Sequence, residues 1–147
     1  MSPPKDSLDR LIDSTYDFGR IMRQLMMGSM GGRGENMLHV HALFLISEQE
    51  GLTMKDFAKS LHVSSPSATS LINRLVKMQW VGRMHDDKNR KLVRLRLTPL
   101  GKRVLREKNE RRRDVLRHVF GFLTASEQLQ LARLHEKLSG KLSSFPS

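Results

Sequence analysis

The sequence predicts a mainly α fold with a small β wing: a winged helix-turn-helix with N- and C-terminal dimerisation helices. Three observations carry this. Residues 53–78 read as a short capped helix, a tight turn and a second helix rich in small hydroxyls. Residues 81–98 alternate apolar and cationic side chains about the turn Asp86-Asp87-Lys88-Asn89-Arg90, as a hairpin does. On either side, residues 8–36 and 115–147 carry long apolar stripes at helical spacing, which need a partner surface. We expect a single domain over residues 1–147, in which residues 37–105 form the winged lobe and the two flanks associate with a second copy.

The first stripe, Leu8, Leu11, Ile12, Phe18, Met22, Leu25 and Met26, follows Ser7 as cap and is expected to stop at Gly28. Residues 28–34 hold four glycines, which makes them the expected mobile connection. Residues 37–47 are apolar nearly all round, the pattern of a short helix buried at the centre, and Gly51 turns the chain after it. Thr53 caps the next helix with Asp56 three residues on, an imperfect capping box because Glu or Gln is usual there; Met54, Phe57, Ala58 and Leu61 face inward. At the turn His62-Val63-Ser64, His62 is suited to a positive φ. Ser64 or Ser65 caps the following helix, with Pro66 in its first turn where the missing N–H costs nothing.

The strands are expected at 81–85 and 91–98, with Val93, Leu95 and Leu97 on one face and Arg94 and Arg96 on the other. Thr98 and Pro99 open a long helix with Leu100, Val104 and Leu105 inward. Its middle, residues 106–114, is almost wholly charged and expected in solvent, before Val115, Leu116, Val119, Phe120 and Leu123 restore an apolar face. Thr124 and Glu127 form a full capping box, and Leu131, Leu134, Leu138 and Leu142 stripe the last helix.

Composition narrows the partner. Twenty-six Lys+Arg against 15 Asp+Glu give a net charge of +11, a field that attracts polyanions, nucleic acid first. No apolar run approaches the ~18 residues of a spanning helix and no Lys/Arg-led apolar segment opens the chain, so we expect no membrane role and a cytoplasmic protein. With no Cys, thiolate metal sites, disulfides and thiol nucleophiles are excluded.

The chemistry sits on the second helix of the pair. Ala68, Leu71, Ile72, Leu75 and Val76 fall at i, i+3, i+4, i+7, i+8 and commit one face to the core. Pro66, Ser67, Ser70, Asn73, Arg74 and Lys77 must then project outward. Small hydroxyls let a helix approach base edges closely, Arg74 can reach a guanine edge or a phosphate, and the helix N-terminus near Ser64 and Ser65 can hold a phosphate. Taken singly, each is as well explained as a cap or a solvated charge. The wing adds Lys88, Asn89, Arg90 and Lys91 at a hairpin tip narrow enough to enter a minor groove, and the two elements together point to double-stranded DNA.

The run SSPSATSLINRLVKMQWVGRMHDDKNRKLVRLRLTPLGKRVL resembles the core of the multiple antibiotic resistance regulator (MarR) family, a similarity covering roughly residues 37 to 108. The resemblance implies a homodimer with interlocking first and last helices, a winged lobe on each side, and repression or activation of nearby genes through an imperfect palindrome. It places the reading helix on residues 65–74 and the wing pattern Arg, Asp, Asp, Arg on Arg83, Asp86, Asn89 and Arg90, with Asn89 in place of the usual second Asp. An Asp there would brace the arginine; Asn hydrogen-bonds without charge assistance and loosens the tip. His62 stands where Gly is common. It also implies small aromatic or phenolic effectors, bound between the dimer helices and the DNA-binding lobe.

No cofactor or metal is expected: His39 and His41 point to different helix faces, and the other four His are scattered. A partly buried polar role fits His39 or His41 better. Met22, Met26, Met27, Met30 and Met37 gather about the first loop, where core packing and an adaptable pocket are both open. No nucleophile elbow, phosphate loop or His-Glu-x-x-His occurs, so we expect no enzyme. Two rivals to a sequence-specific regulator remain: an architectural DNA binder, which the charge alone would serve, and a protein-docking winged helix, against which the basic wing argues.

Overall fold

The computed structural model describes residues 6–30 and 36–144. Among them are six helices and two strands: α1 Ser7–Met30, α2 Met37–Glu48, α3 Met54–Leu61, α4 Ser65–Lys77, β1 Val81–His85, β2 Val93–Leu97, α5 Pro99–Phe120 and α6 Ala125–Leu142. The chain groups into two compact units that divide between Arg112 and Arg113. No helix of the described residues is long and apolar enough to cross a membrane.

The first unit is built on α2. Asn36 caps it: His39 N–H donates to Asn36 Oδ1 and Asn36 N–H donates to His39 Nδ1, a reciprocal box in which the imidazole nitrogen is an acceptor. His39 is thus a buried polar group satisfied at a helix end, while His41 is exposed. Val40, Ala42, Leu43 and Ile46 are buried against Phe57, Ala58 and Leu61 of α3, Leu71, Ile72 and Leu75 of α4, and Leu95 of β2. α2 is not enclosed all round, however. Met37, Leu38 and Phe44 stay exposed, because the lobe packs on one side of the helix alone.

α1 differs from expectation at its end: the helix passes through Gly28 to Met30, a tolerable cost of about 1 kcal/mol for one helical glycine. The glycines at 31, 32 and 34 lie outside the described residues. Its stripe is uncovered, with Leu8, Leu11, Ile12, Phe18 and Leu25 exposed and Met22 and Met26 half-buried. Met27 and Met37 are exposed as well.

The strands of the wing are antiparallel, with Val81 opposite Leu97 and His85 opposite Val93. β2 begins at Val93, not at residue 91 as the alternation suggested, because the hydrogen bond from Leu92 N–H to Asn89 C=O still belongs to the turn. On its other side β2 meets the chain before α3: Leu95 N–H donates to Leu52 C=O, and Thr53 bridges Arg94.

Thr98 caps α5 through Gly101 N–H, and its own N–H donates to Trp80 C=O. Leu100, Val104 and Leu105 turn inward as expected. Within the charged stretch Lys108 is the exception, buried where solvent was predicted, since it shares the inward face with Leu105 and Gly101.

In the second unit the capping box predicted at the start of α6 is present: Glu127 N–H donates to Thr124 Oγ1, and Thr124 N–H and Oγ1–H both donate to Glu127 Oε2. Those two bonds, backbone first, lower the Glu127 pKa. Gln128 Nε2 donates to Phe120 C=O and Leu123 C=O, which ties α6 back to the end of α5. None of α6 is buried, and Leu134, Leu138 and Leu142 are exposed.

Candidate nucleic-acid interface

α3 and α4 are joined by a turn whose geometry is set locally. Thr53 accepts from Asp56 N–H to start α3, but the Asp56 carboxylate takes the Thr53 hydroxyl at 2.8 Å, so the box is modified as the shorter side chain requires. His62 ends α3 at φ 55°, ψ 41°, the left-handed cap expected of it. Ser64, not Ser65, is the N-cap of α4: Ser67 N–H donates to Ser64 Oγ. With Ala68, Leu71, Ile72 and Leu75 buried, the opposite face of α4 is open. Ser64, Ser65, Pro66, Ser67, Ser70, Asn73, Arg74 and Lys77 are all exposed, as the spacing requires.

Arg83, Lys88, Asn89, Arg90 and Lys91 on the hairpin are exposed too. The tip is organised by Asp86, whose Oδ1 accepts from Lys88 N–H at 2.8 Å and Asn89 N–H at 3.1 Å. Its Oδ2 accepts from Arg94 Nε at 2.6 Å, and Arg94 Nη1 donates to Gly51 C=O at 2.9 Å. Gly51 sits at φ +77°, and a Cβ there would press Arg94 Cδ at 3.3 Å. The aspartate therefore braces Arg94, for which the strand alternation predicts a face and no role. Asn89 accepts from Lys91 N–H instead of contacting an arginine. His85 Nδ1 lies 3.0 Å from Arg90 C=O. Reading the brace from sequence would have required knowing that the Gly51 turn lies beside the hairpin.

Arg83 reaches the other way, donating from Nη2 to Asn73 Oδ1 of α4 at 2.5 Å. The lobe thus presents an open helix face and a cationic hairpin, linked by Arg83 and held to the α2–α3 turn by Arg94. Among the described residues no group of three or more His, Asp or Glu is placed to hold a metal.

The MarR family model matches residues 36–93, from the cap of α2 to the start of β2. The chain is 30% identical over 99 residues to YpoP, an HTH-type transcriptional regulator of Bacillus subtilis, covering 67% of this chain and 70% of that one. This chain belongs to the MarR family. It is also 26% identical to the HTH-type transcriptional repressor MdtR of Bacillus subtilis, over 78% of this chain and 74% of that one. Among solved structures, a MarR family protein of Bacillus stearothermophilus superposes with a TM-score of 0.84 at 20% identity, covering 97% of this chain and all, 100%, of the other. A MepR variant of S. aureus, bound to an oligodeoxyribonucleotide, gives a TM-score of 0.69 at 18% identity over 94% and 99%. The winged helix-turn-helix of this MarR chain is thereby the fold expected from its sequence.

In this MarR protein the brace has a pH signature. The hydrogen bond from Arg94, then those from Lys88 and Asn89, hold the Asp86 carboxyl below its usual 3.8 against a smaller opposing effect of desolvation. A depressed carboxyl stabilises the fold above its unfolded pKa and loses that contribution as pH falls through the folded one, so the brace is intact at neutral pH and fails only below about 3.8. We expect Arg94→Met to bring the Asp86 pKa back up, read by carboxyl-carbon NMR titration. A pKa as low in the variant as in the parent would remove Arg94 as the main cause.

Proposed function

We propose that this protein is a cytoplasmic, homodimeric, sequence-specific DNA-binding transcription regulator that acts on a palindromic operator and is released by a small aromatic effector. One observation carries the reading: the exposed row Ser67, Ser70, Asn73, Arg74 and Lys77 on α4, backed by a buried face and flanked by the exposed cations of the wing. α4 would enter the major groove and the wing the adjacent minor groove. The kinship with MdtR favours repression, and the MepR variant that holds an oligodeoxyribonucleotide supports DNA as the partner. The uncovered faces of α1 and α6 support the dimer, whose reading helices would stand about one DNA turn apart, ~34 Å, on half-sites ~10 base pairs centre to centre. The matched relatives are transcription regulators, and we assign the chain no catalysis.

An architectural binder is the second reading, favoured by the charge of +11. Competition binding separates the two: at ~0.15 M salt a specific regulator prefers its operator to random DNA by more than ~10³-fold, an architectural protein by a few-fold at most. Within the first reading, Arg74→Ala is expected to weaken operator binding by about 1–3 kcal/mol if it reads a base, and Arg90→Ala to weaken binding evenly across sequences if it holds backbone. Equal losses on operator and random DNA for Arg74→Ala would reassign it to phosphate.

A further inference from the structure

The bond between Arg83 and Asn73 restricts what the reading helix can recognise. An asparagine on an open helix face ordinarily turns either its carbonyl or its amide nitrogen outward, and bidentate reading of adenine uses both, the oxygen accepting from N6 and the nitrogen donating to N7. Here the choice is made before DNA arrives. Arg83, a guanidinium with donors only, can bind only the amide oxygen, and it does so in a short charge-assisted contact of 2.5 Å. The Asn73 Nδ2 group makes no hydrogen bond among the described residues, and both side chains are exposed on the face that α4 turns to solvent. An adenine N6 amino group brought to Asn73 Oδ1 would have to point its hydrogens at an oxygen already held by a cation, with that cation's positive charge alongside. Guanine meets the opposite field: O6 and N7 are both acceptors, matched to the Nδ2–H hydrogens of Asn73 with the guanidinium's positive charge alongside.

We propose that Asn73 and Arg83 act as one donor-only reader that selects a guanine edge in each half-site, with Asn73 the base-contacting residue and Arg83 the positioning residue that fixes its sense. The proposal rests on α4 being the reading helix and adds the class of base it reads.

The test is selection of bound sequences from a random duplex library with the full-length protein, in parallel with Asn73→Ala and Arg83→Met, each verified as folded by its melting temperature. Wild-type protein is expected to enrich a two-fold motif with one guanine per half-site whose preference, about tenfold or more, disappears in Asn73→Ala. Arg83→Met frees the amide and is expected to move that same position toward adenine, which a merely structural loss would not do. The proposal is overturned if the Asn73-dependent base is already adenine in the wild type, if Asn73→Ala changes no position, or if Arg83→Met lowers binding to all sequences evenly and leaves the motif unchanged. Should the wild-type protein enrich no motif at all, the regulator reading itself falls, an outcome distinct from those three.

Discussion

Gly101→Ala is expected to be the most damaging single-methyl change in the winged lobe. Gly101 lies in the first turn of α5, where a Cβ would stand 2.0 Å from the Trp80 carbonyl oxygen and 2.9 Å from its carbon. The obstacle is backbone, and the same carbonyl accepts from Thr98 N–H, so it cannot swing aside without breaking the junction between wing and helix. Alanine is a better helix former than glycine by about 1 kcal/mol, yet overpacking costs about 1–3 kcal/mol and occasionally more, and an approach of 2.0 Å to backbone that cannot move puts this site beyond the top of that range. We expect a net loss above about 2 kcal/mol, seen as a drop in melting temperature of roughly 5–10 °C. A variant melting within a degree or two of the parent would mean that α5 can lift from Trp80 at little cost.

The second large effect concerns assembly. Leu134 is 53% exposed on α6 and Leu11 is 60% exposed on α1, so a carboxylate at either place costs the isolated chain little. If these faces meet a second copy, Leu134→Glu would bury a charge in an apolar seam. Light scattering at micromolar concentration is expected to give a dimer for the parent and a monomer for Leu134→Glu, and operator affinity to fall by about 10²–10³-fold as the second half-site is lost. A dimeric Leu134→Glu with unaltered DNA binding would place the interface elsewhere. Finding the parent protein monomeric would contradict the interlocked helices altogether.

Much of this lobe was legible because the signals are local. The period of Ala68, Leu71, Ile72 and Leu75 gave the open face of α4; Thr53 and the pair Ser64 and Ser65, and beyond the lobe Thr124, gave three helix starts; and the left-handed His62 followed from a residue type that tolerates positive φ. What escaped depends on pairs distant in sequence. Arg94 meets Gly51 across 43 residues, Arg83 meets Asn73 across ten, and nothing in either neighbourhood names its partner. Gln79 at φ 62° was missed for another reason: glutamine carries no turn signal, and the conformation is imposed as Trp80 N–H donates to Leu75 C=O to close α4. That α2 is buried on one side only is of a related kind, since apolarity on every side of a helix does not say which surface covers it.

The seam between β2 and residues 52–53 bears on how the wing behaves away from DNA. A free two-stranded ribbon is marginal in water, and a bare strand edge invites pairing with another molecule. By spending one flank of β2 on the Leu52 carbonyl and the Thr53 bridge, the hairpin leaves only the β1 margin open to intermolecular sheet growth. It should therefore exchange its amide protons on the same timescale as the helices beneath it, not as a loose appendage.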